Sequence, residues 1–201
     1  MQISKPDKFY DLVVVGGGMV GASFCCALAE ALGENSLSIL VIEAILPNAN
    51  SAKQSSFDAR STALSFGSRK FFEGIGLWQA LDDAVSAIYE IQVSDRGRLG
   101  SVEINRNEQN VEAIGYVVEN IRLGQVLNSR LNESGKINFL CPALVSSVKA
   151  TEKGMQLGLQ HGDTETCVDA SLVVLADGGK SPVCEQLAIA HSIERYEQHA
   201  L

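Results

Sequence analysis

Asp11–Gly21 reads DLVVVGGGMVG, and its reading decides the fold. Leu12–Val15 is a short apolar run of the kind that forms a buried strand, and Gly16, Gly18 and Gly21 follow with G-x-G-x-x-G spacing. A helical run, ASFCCALAEALG from Ala22 to Gly33, comes next. At a strand-to-helix turn each glycine has its own task. The first permits the tight turn, the second lets a pyrophosphate approach the backbone, and the third lets the helix pack closely on the strand. The helix start then offers unpaired N–H groups and the positive end of its dipole. A second strand, LSILVIE, ends at Glu43, about twenty residues past the last glycine, where an acid is expected to accept a ribose hydroxyl. The glycines alone are a weak signal; strand, turn, helix, strand and acid in this order are a strong one. No G-K-S or G-K-T follows, which excludes a P-loop.

The 201 residues are 46% hydrophobic and 20% charged, an ordinary globular composition. A net charge of −8 argues against a nucleic-acid partner, which would need a basic face. No run of apolar residues is long enough to span a membrane. The N-terminal MQISKPDKFYD runs straight into the first strand, so no signal peptide is expected. Cys25, Cys26, Cys141, Cys167 and Cys184 form no C-x-x-C pair and read as reduced, mostly buried thiols of a cytoplasmic protein. His161, His191 and His199 have no metal-ligand spacing, so no metal site is expected.

After Glu43, PNANSAKQSSFDAR (residues 47–60) reads as a long exposed loop. A helix is predicted over Thr62–Ile75, on the apolar positions Ala63, Leu64, Phe71, Phe72 and Ile75, with a further helical piece over Leu77–Leu81. Residues 88–118 change character: IYEIQVSD, SVEIN and VEAIGYVV read as three strands of an antiparallel excursion. A helix is predicted from Asn120, a candidate N-cap, through Leu123, Val126, Leu127 and Leu131. INFLC (137–141) is a short strand, and ALVSSVKA, MQLGLQ and ETCVDA form a three-stranded meander. LVVLA (172–176) reads as a separate parallel strand buried on both faces. It ends in Asp177-Gly178-Gly179, with Ser181 as N-cap and Pro182 as first residue of another helix. A carboxylate and glycines at the carboxyl end of a parallel strand lie where ligands bind in such sheets.

The glycine turn, the acid ending the second strand, the meander and the D-G-x-x-S segment, in that order, resemble the flavoprotein aromatic hydroxylases. The fold this implies is α/β: a glutathione-reductase-like FAD-binding Rossmann fold with a β-meander and an inserted antiparallel sheet. Within that group the chain is similar to the ubiquinone-biosynthesis hydroxylases. FDARSTALSFGSRKFFEGIGLWQAL, VSDRGRLG, GYVVEN and YEQHAL carry the closer match. The resemblance implies that Gly16, Gly18 and Gly21 hold the FAD pyrophosphate and Glu43 the adenosine ribose. Arg60 matches a family arginine that contacts FAD, and its alternative is a surface arginine beside Asp58. Asn120 stands where relatives place a polar residue against the cofactor, and a plain N-cap is its alternative. Asp177 and Gly178 match a D-G motif that binds FAD and NAD(P)H, although the arginine three residues past its serine is here Cys184.

The implied activity is ring hydroxylation of a polyprenylated phenol, with NAD(P)H as reductant and O2 as oxygen source. No catalytic residue is assigned. Family chains are about twice as long, so this chain is expected to be a truncated N-terminal half, inactive by itself and weak in FAD retention. The expected division is a cofactor domain of residues 1–85 and 119–190, with 86–118 and 191–201 starting a substrate-domain sheet. Gly162-Asp163 reads as a hairpin turn and not as the family's Gly-Asp motif. A prenylated substrate implies peripheral contact with the inner face of a membrane and with other enzymes of ubiquinone biosynthesis. An NAD-dependent dehydrogenase and a non-catalytic nucleotide-binding or scaffold fragment are the alternatives.

Overall fold

The computed structural model describes residues 9–45, 58–95, 97, 99–135, 137–179 and 181–194. Most of the exposed loop read at 47–60, the YEQHAL segment and the terminal Leu201 lie outside them. Strand β1 (Phe9–Val15) leads through the glycine turn into α1 (Met19–Leu32), followed by β2 (Ile39–Ile42). Then come β3 (Ser61–Ser65), α2 (Phe66–Gly74), β4 (Val85–Ile88), β5 (Glu90–Ser94), β6 (Ser101–Asn105) and the short α3 (Arg106–Gln109). β7 (Gly115–Glu119), α4 (Asn120–Ser134) and β8 (Ile137–Leu140) follow. The meander strands β9 (Leu144–Thr151), β10 (Gly154–His161) and β11 (Thr164–Leu175) lead to α5 (Pro182–Gln186).

The main sheet has the order β8-β2-β1-β11-β10-β9, with β8, β2, β1 and the end of β11 parallel. An Asp11–Ser38 clasp sets the β1–β2 register. The Asp11 carboxylate accepts the Ser38 N–H at 2.8 Å and its hydroxyl at 2.7 Å, and Leu12 lies opposite Ile39. Alternation then divides the sheet between two cores. Leu12, Val14, Ile39 and Val41 face α1 and α4, with Cys25, Cys26 and Leu127. Val13, Val15, Leu40 and Ile42 face Leu157, Leu159 and Val168 of the meander, with Val183 of α5. The glycine turn is therefore held at the edge of two apolar layers.

Three expectations are corrected. Thr62–Ser65 is not helical: β3 pairs antiparallel with β7, Leu64 opposite Tyr116, and α2 starts only after Ser65. Ser65 is the N-cap and its hydroxyl accepts the Ser68 N–H at 3.1 Å. The excursion at 88–118 is not one sheet. Among the described residues β5 and β6 pair only with each other, whereas β7 joins β3 and β4, and Val111–Ile114 lie outside the strand. Leu64, Tyr116 and Val118 of that small sheet share the core of α1 and α4, and the expected domain division falls within β4 and β7. Finally, LVVLA is not a strand of its own. β11 runs unbroken from the meander into the parallel sheet, antiparallel to β10 up to Ala170 and parallel to β1 from Asp169. Past Ala170 it has no described partner on its second edge, and Leu172 is 59% exposed, so this end is not buried on both faces.

Short helical structure at Trp78–Ala80, the helix at 120–134, the strand at 137–140 and the Ser181-Pro182 helix start match the sequence reading. Gly162 sits at φ 58° in the β10–β11 turn, as a hairpin requires. Among the described residues no helix is long and apolar enough to cross a membrane.

Candidate functional site

The parallel strands β1, β2 and β11 bring their carboxyl ends to a cleft of about 360 Å3. Gly16, Gly18, Glu43, Asp177 and Gly178 all line it, with Ala143–Val145 and Pro182-Val183 completing the walls. The glycines act through clearance. Gly16 has φ +99°, and a Cβ there would lie 2.5 Å from the Ala176 carbonyl oxygen. A Cβ on Gly21 would strike the Gly16 carbonyl, so this glycine lets α1 approach the turn. Gly18 is the N-cap of α1 and supplies no side-chain cap, and the first turn of the helix carries no acid. No side-chain cap occupies the first N–H groups of the helix, and Gly18, Met19 and Val20 line the cleft.

Glu43 is held from both sides. Its carboxylate accepts the Gly17 N–H at 2.7 Å and the Ile45 N–H at 2.9 Å. A carboxylate keeps further lone pairs after two such bonds, so it can still accept a ribose hydroxyl. Glu43 and Asp177 are the charged side chains among the described lining residues. Gly178, at φ +92° with open space where a Cβ would stand, lets the chain turn away after Asp177.

Arg60 and Asn120 do not line this cleft. They form a second cluster with Asp58 and Thr62 where β3 begins and α4 starts. The Arg60 Nε donates to the Asp58 carboxylate at 2.6 Å, and the same carboxylate accepts the Arg60 backbone N–H at 3.0 Å. That backbone N–H, with the guanidinium and the Asn120 amide, holds the Asp58 carboxyl below its ordinary value. Asn120 is not the N-cap of α4; Glu119 is, without a side-chain bond, and Asn120 is the first helical residue. The residue is 3% exposed, and its side chain accepts the Thr62 hydroxyl and donates to Asp58 at 3.2 Å. The sequence reading named Asp58 beside a surface Arg60, and the structure shows that pairing, but it gave no role to Thr62 or to the Gly17 N–H that orients Glu43. The D-A-R-S-T spacing was the available sign, since a carboxylate two residues before Arg60 can reach its backbone N–H.

Among the thiols, burial pushes Cys25 up to about 12 and Cys26 and Cys141 up to about 11, so these three are inert at neutral pH. Cys167 is exposed and Cys184 half-buried.

The geometry suits the adenosine diphosphate part of a dinucleotide: a turn with no side chains, an uncapped helix start, and an oriented acid. A family description for FAD-binding domains matches residues 10–200. The chain belongs to the FAD-binding domain family. It is similar to ubiquinone hydroxylase UbiL of Rhodospirillum rubrum, 33% identical over 195 residues that are 97% of this chain and 43% of the relative. It is also similar to 3-demethoxyubiquinol 3-hydroxylase of Escherichia coli, 28% identical over 95% of this chain and 47% of that protein. The chain thus spans less than half the length of these relatives. Among solved structures, p-nitrophenol 4-monooxygenase PnpA of Pseudomonas putida superposes with a TM-score of 0.73 at 16% identity, over 90% of this chain and 44% of that one. The flavin-dependent monooxygenase PieE, in complex with FAD and substrate, gives 0.74 at 16% identity over 92% of this chain and 33% of that one. These two establish a shared α/β fold of FAD-binding type.

Proposed function

We propose that the chain is the cofactor-binding part of an FAD-dependent monooxygenase that hydroxylates the aromatic ring of a polyprenylated phenol in ubiquinone biosynthesis. The observation that carries the reading is the convergence of the glycine turn, Glu43 and Asp177-Gly178 on one cleft in a member of the FAD-binding domain family. The names of its relatives point to ubiquinone biosynthesis, and the segments that carry the closer sequence resemblance lead us to favour 2-octaprenyl-6-methoxyphenol hydroxylation. Bound FAD would supply the redox chemistry, with NAD(P)H as reductant and O2 as the source of the inserted oxygen.

The chain's own residues have narrower tasks. Gly16, Gly18 and Gly21 clear space for the diphosphate, and the start of α1 donates N–H groups to it. Glu43 accepts a ribose hydroxyl while the Gly17 and Ile45 N–H groups fix its rotamer. Asp177 and Gly178 line the cleft from the β11 side, and Arg60 supplies positive charge. We take residues 1–85 and 119–190 as the cofactor domain, with β4 and β7 at its seam because Tyr116 and Val118 share its core, and the β5–β6 hairpin as the start of the sheet that receives the phenol. The prenyl chain would bring the protein to the inner face of a membrane.

The test is flavin content and turnover. A longer polypeptide containing this chain should purify yellow and oxidise NADPH faster when a prenylated phenol is added. Colourless protein that binds NAD tightly and takes up no FAD would refute the reading and favour a dehydrogenase.

A further inference from the structure

Asn120 sits where the resemblance places a cofactor contact, yet it is 3% exposed and its amide is engaged at both ends. The carbonyl oxygen accepts the Thr62 hydroxyl, and the amino group donates to Asp58 Oδ1 at 3.2 Å. Its backbone N–H also donates to the Arg60 carbonyl at 2.9 Å, extending the β3–β7 ladder beyond Ser61 opposite Glu119. One residue therefore grips both the backbone of Arg60 and the carboxylate that holds its guanidinium. Asp58 closes the arrangement: Oδ1 takes the Asn120 amide and the Arg60 N–H, and Oδ2 takes Nε. The arginine keeps 70% of its side chain exposed.

We propose that Asn120 and Asp58 are positioning residues, a buried amide and a carboxylate that fix the plane of the Arg60 guanidinium, and that Asn120 does not itself touch the cofactor. This rests on the reading of Arg60 as a contact to FAD. A guanidinium recognises a diphosphate through a planar fork, so its orientation matters as much as its charge. A surface arginine otherwise loses rotamer freedom when it binds, and a clamp on Nε removes most of that loss beforehand. Asp58 also provides a test of sign. By charge alone a carboxylate beside an anion site weakens binding, and its removal would tighten it. As a positioning residue its removal does the opposite.

The experiment titrates FAD by calorimetry into the flavin-stripped longer polypeptide containing this chain, for the wild type and Arg60→Ala, and for Asn120→Ala and Asp58→Ala each alone and in the Arg60→Ala background. Circular dichroism melts verify folding. Arg60→Ala should raise Kd about tenfold, the scale of one charge-assisted hydrogen-bond set. Asn120→Ala and Asp58→Ala should each raise it about three- to tenfold when Arg60 is present and less than about twofold when it is absent. Asp58→Glu should recover part of the loss. A ligand-free measurement covers variants that bind too weakly: the 15N–1H signal of Arg60 Nε should be protected from exchange in the wild type and should lose that protection in Asn120→Ala. An unchanged Kd for Arg60→Ala would overturn both the Arg60 reading and this inference. A weakened Arg60→Ala with tighter FAD binding by Asp58→Ala, or with Asn120→Ala equally harmful in both backgrounds, would overturn the inference alone. An unprotected Nε in the free wild type would do so as well.

Discussion

Gly16→Ala tests the glycine turn most directly. The new Cβ would lie 2.5 Å from the Ala176 oxygen, 2.6 Å from its carbon and 2.8 Å from the Asp177 nitrogen. Real Cβ atoms essentially never come within 3.0 Å, and all three obstacles are backbone, so no side chain can swing aside. The backbone angle φ +99° adds strain of about 1–3 kcal/mol for an L-residue, and overpacking adds about 1–3 kcal/mol. A total near 3 kcal/mol should lower Tm by about 6–12 °C for a chain of this size. Because the obstacles are the end of β11 and the start of the Asp177-Gly178 turn, relief would part the two walls of the cleft. FAD affinity should therefore fall with stability. Gly67→Ala is the matched control: in helix α2 its Cβ meets only Ser65 Oγ at 3.6 Å. It should stabilise by about 0.5–1 kcal/mol, because alanine loses less backbone entropy than glycine in a helix. The assay is thermal unfolding by circular dichroism, with FAD titration of each variant. A Gly16→Ala protein that melts within about 2 °C of the wild type and binds FAD equally would refute the close-approach reasoning.

Glu43→Gln replaces one acceptor oxygen with an amino group facing the Gly17 or Ile45 N–H. It should cost about 1–3 kcal/mol in stability and about tenfold in FAD affinity, read by urea unfolding and calorimetry. Gly18→Asp would cap α1 with its own side chain in an extended backbone that tolerates any residue. Tm should rise by about 1–3 °C while FAD affinity falls at least about tenfold, since the carboxylate occupies the N–H groups and repels phosphate. Asp11 is held below its ordinary value of 3.8 chiefly by the Ser38 N–H. Its contribution to stability is thus complete above 3.8 and disappears as pH falls through its lower folded value. The Tm gap between wild type and Asp11→Asn should be widest near about pH 7 and close in acid, which a series of melts will show. Mass mapping after brief iodoacetamide treatment at about pH 8 should find Cys167 labelled first, with Cys25, Cys26 and Cys141 labelled only on unfolding.

What the sequence revealed was what local physics decides. The glycine turn, Glu43 and Asp177-Gly178 could be read because each depends on residue type at a fixed place along one strand–turn–helix path. What it concealed depends on distant partners. Ala63 and Leu64 fit a helical period together with Phe71, Phe72 and Ile75, but the Leu64–Tyr116 pairing overrides that period. ETCVDA and LVVLA read as two separate strands, with Asp169 and Ser171 near their junction. Those two residues are instead where β11 changes neighbours, so polar residues fall inside a continuous strand. Asn120 read as a cap because an asparagine before an apolar helix usually is one. Of its actual partners, Thr62 belongs to the strand that the helical period conceals, and Asp58 to the end of the loop before it. The helical period thus hid the Thr62 side of the cluster, while the Asp58–Arg60 pair was legible as near neighbours in the loop.

How the helices begin supports the assignment of both clusters. Ser65, Asn105 and Ser181 cap α2, α3 and α5 with side-chain oxygens, the arrangement that stabilises a helix start by about 1 kcal/mol. The two longest helices, α1 and α4, have no side-chain cap. Gly18 opens the first and Glu119-Asn120 the second, and these are the helix starts to which the candidate site residues belong. Stability alone would favour Ser, Asp or Asn at both caps. At α1 the absence of a side-chain cap fits the proposed phosphate contact, and at α4 the asparagine that could have capped lies one residue later, turned toward Asp58. A gain in stability with a loss of FAD affinity in Gly18→Asp would separate these two demands, because a helix start selected only for folding would accept the cap without loss.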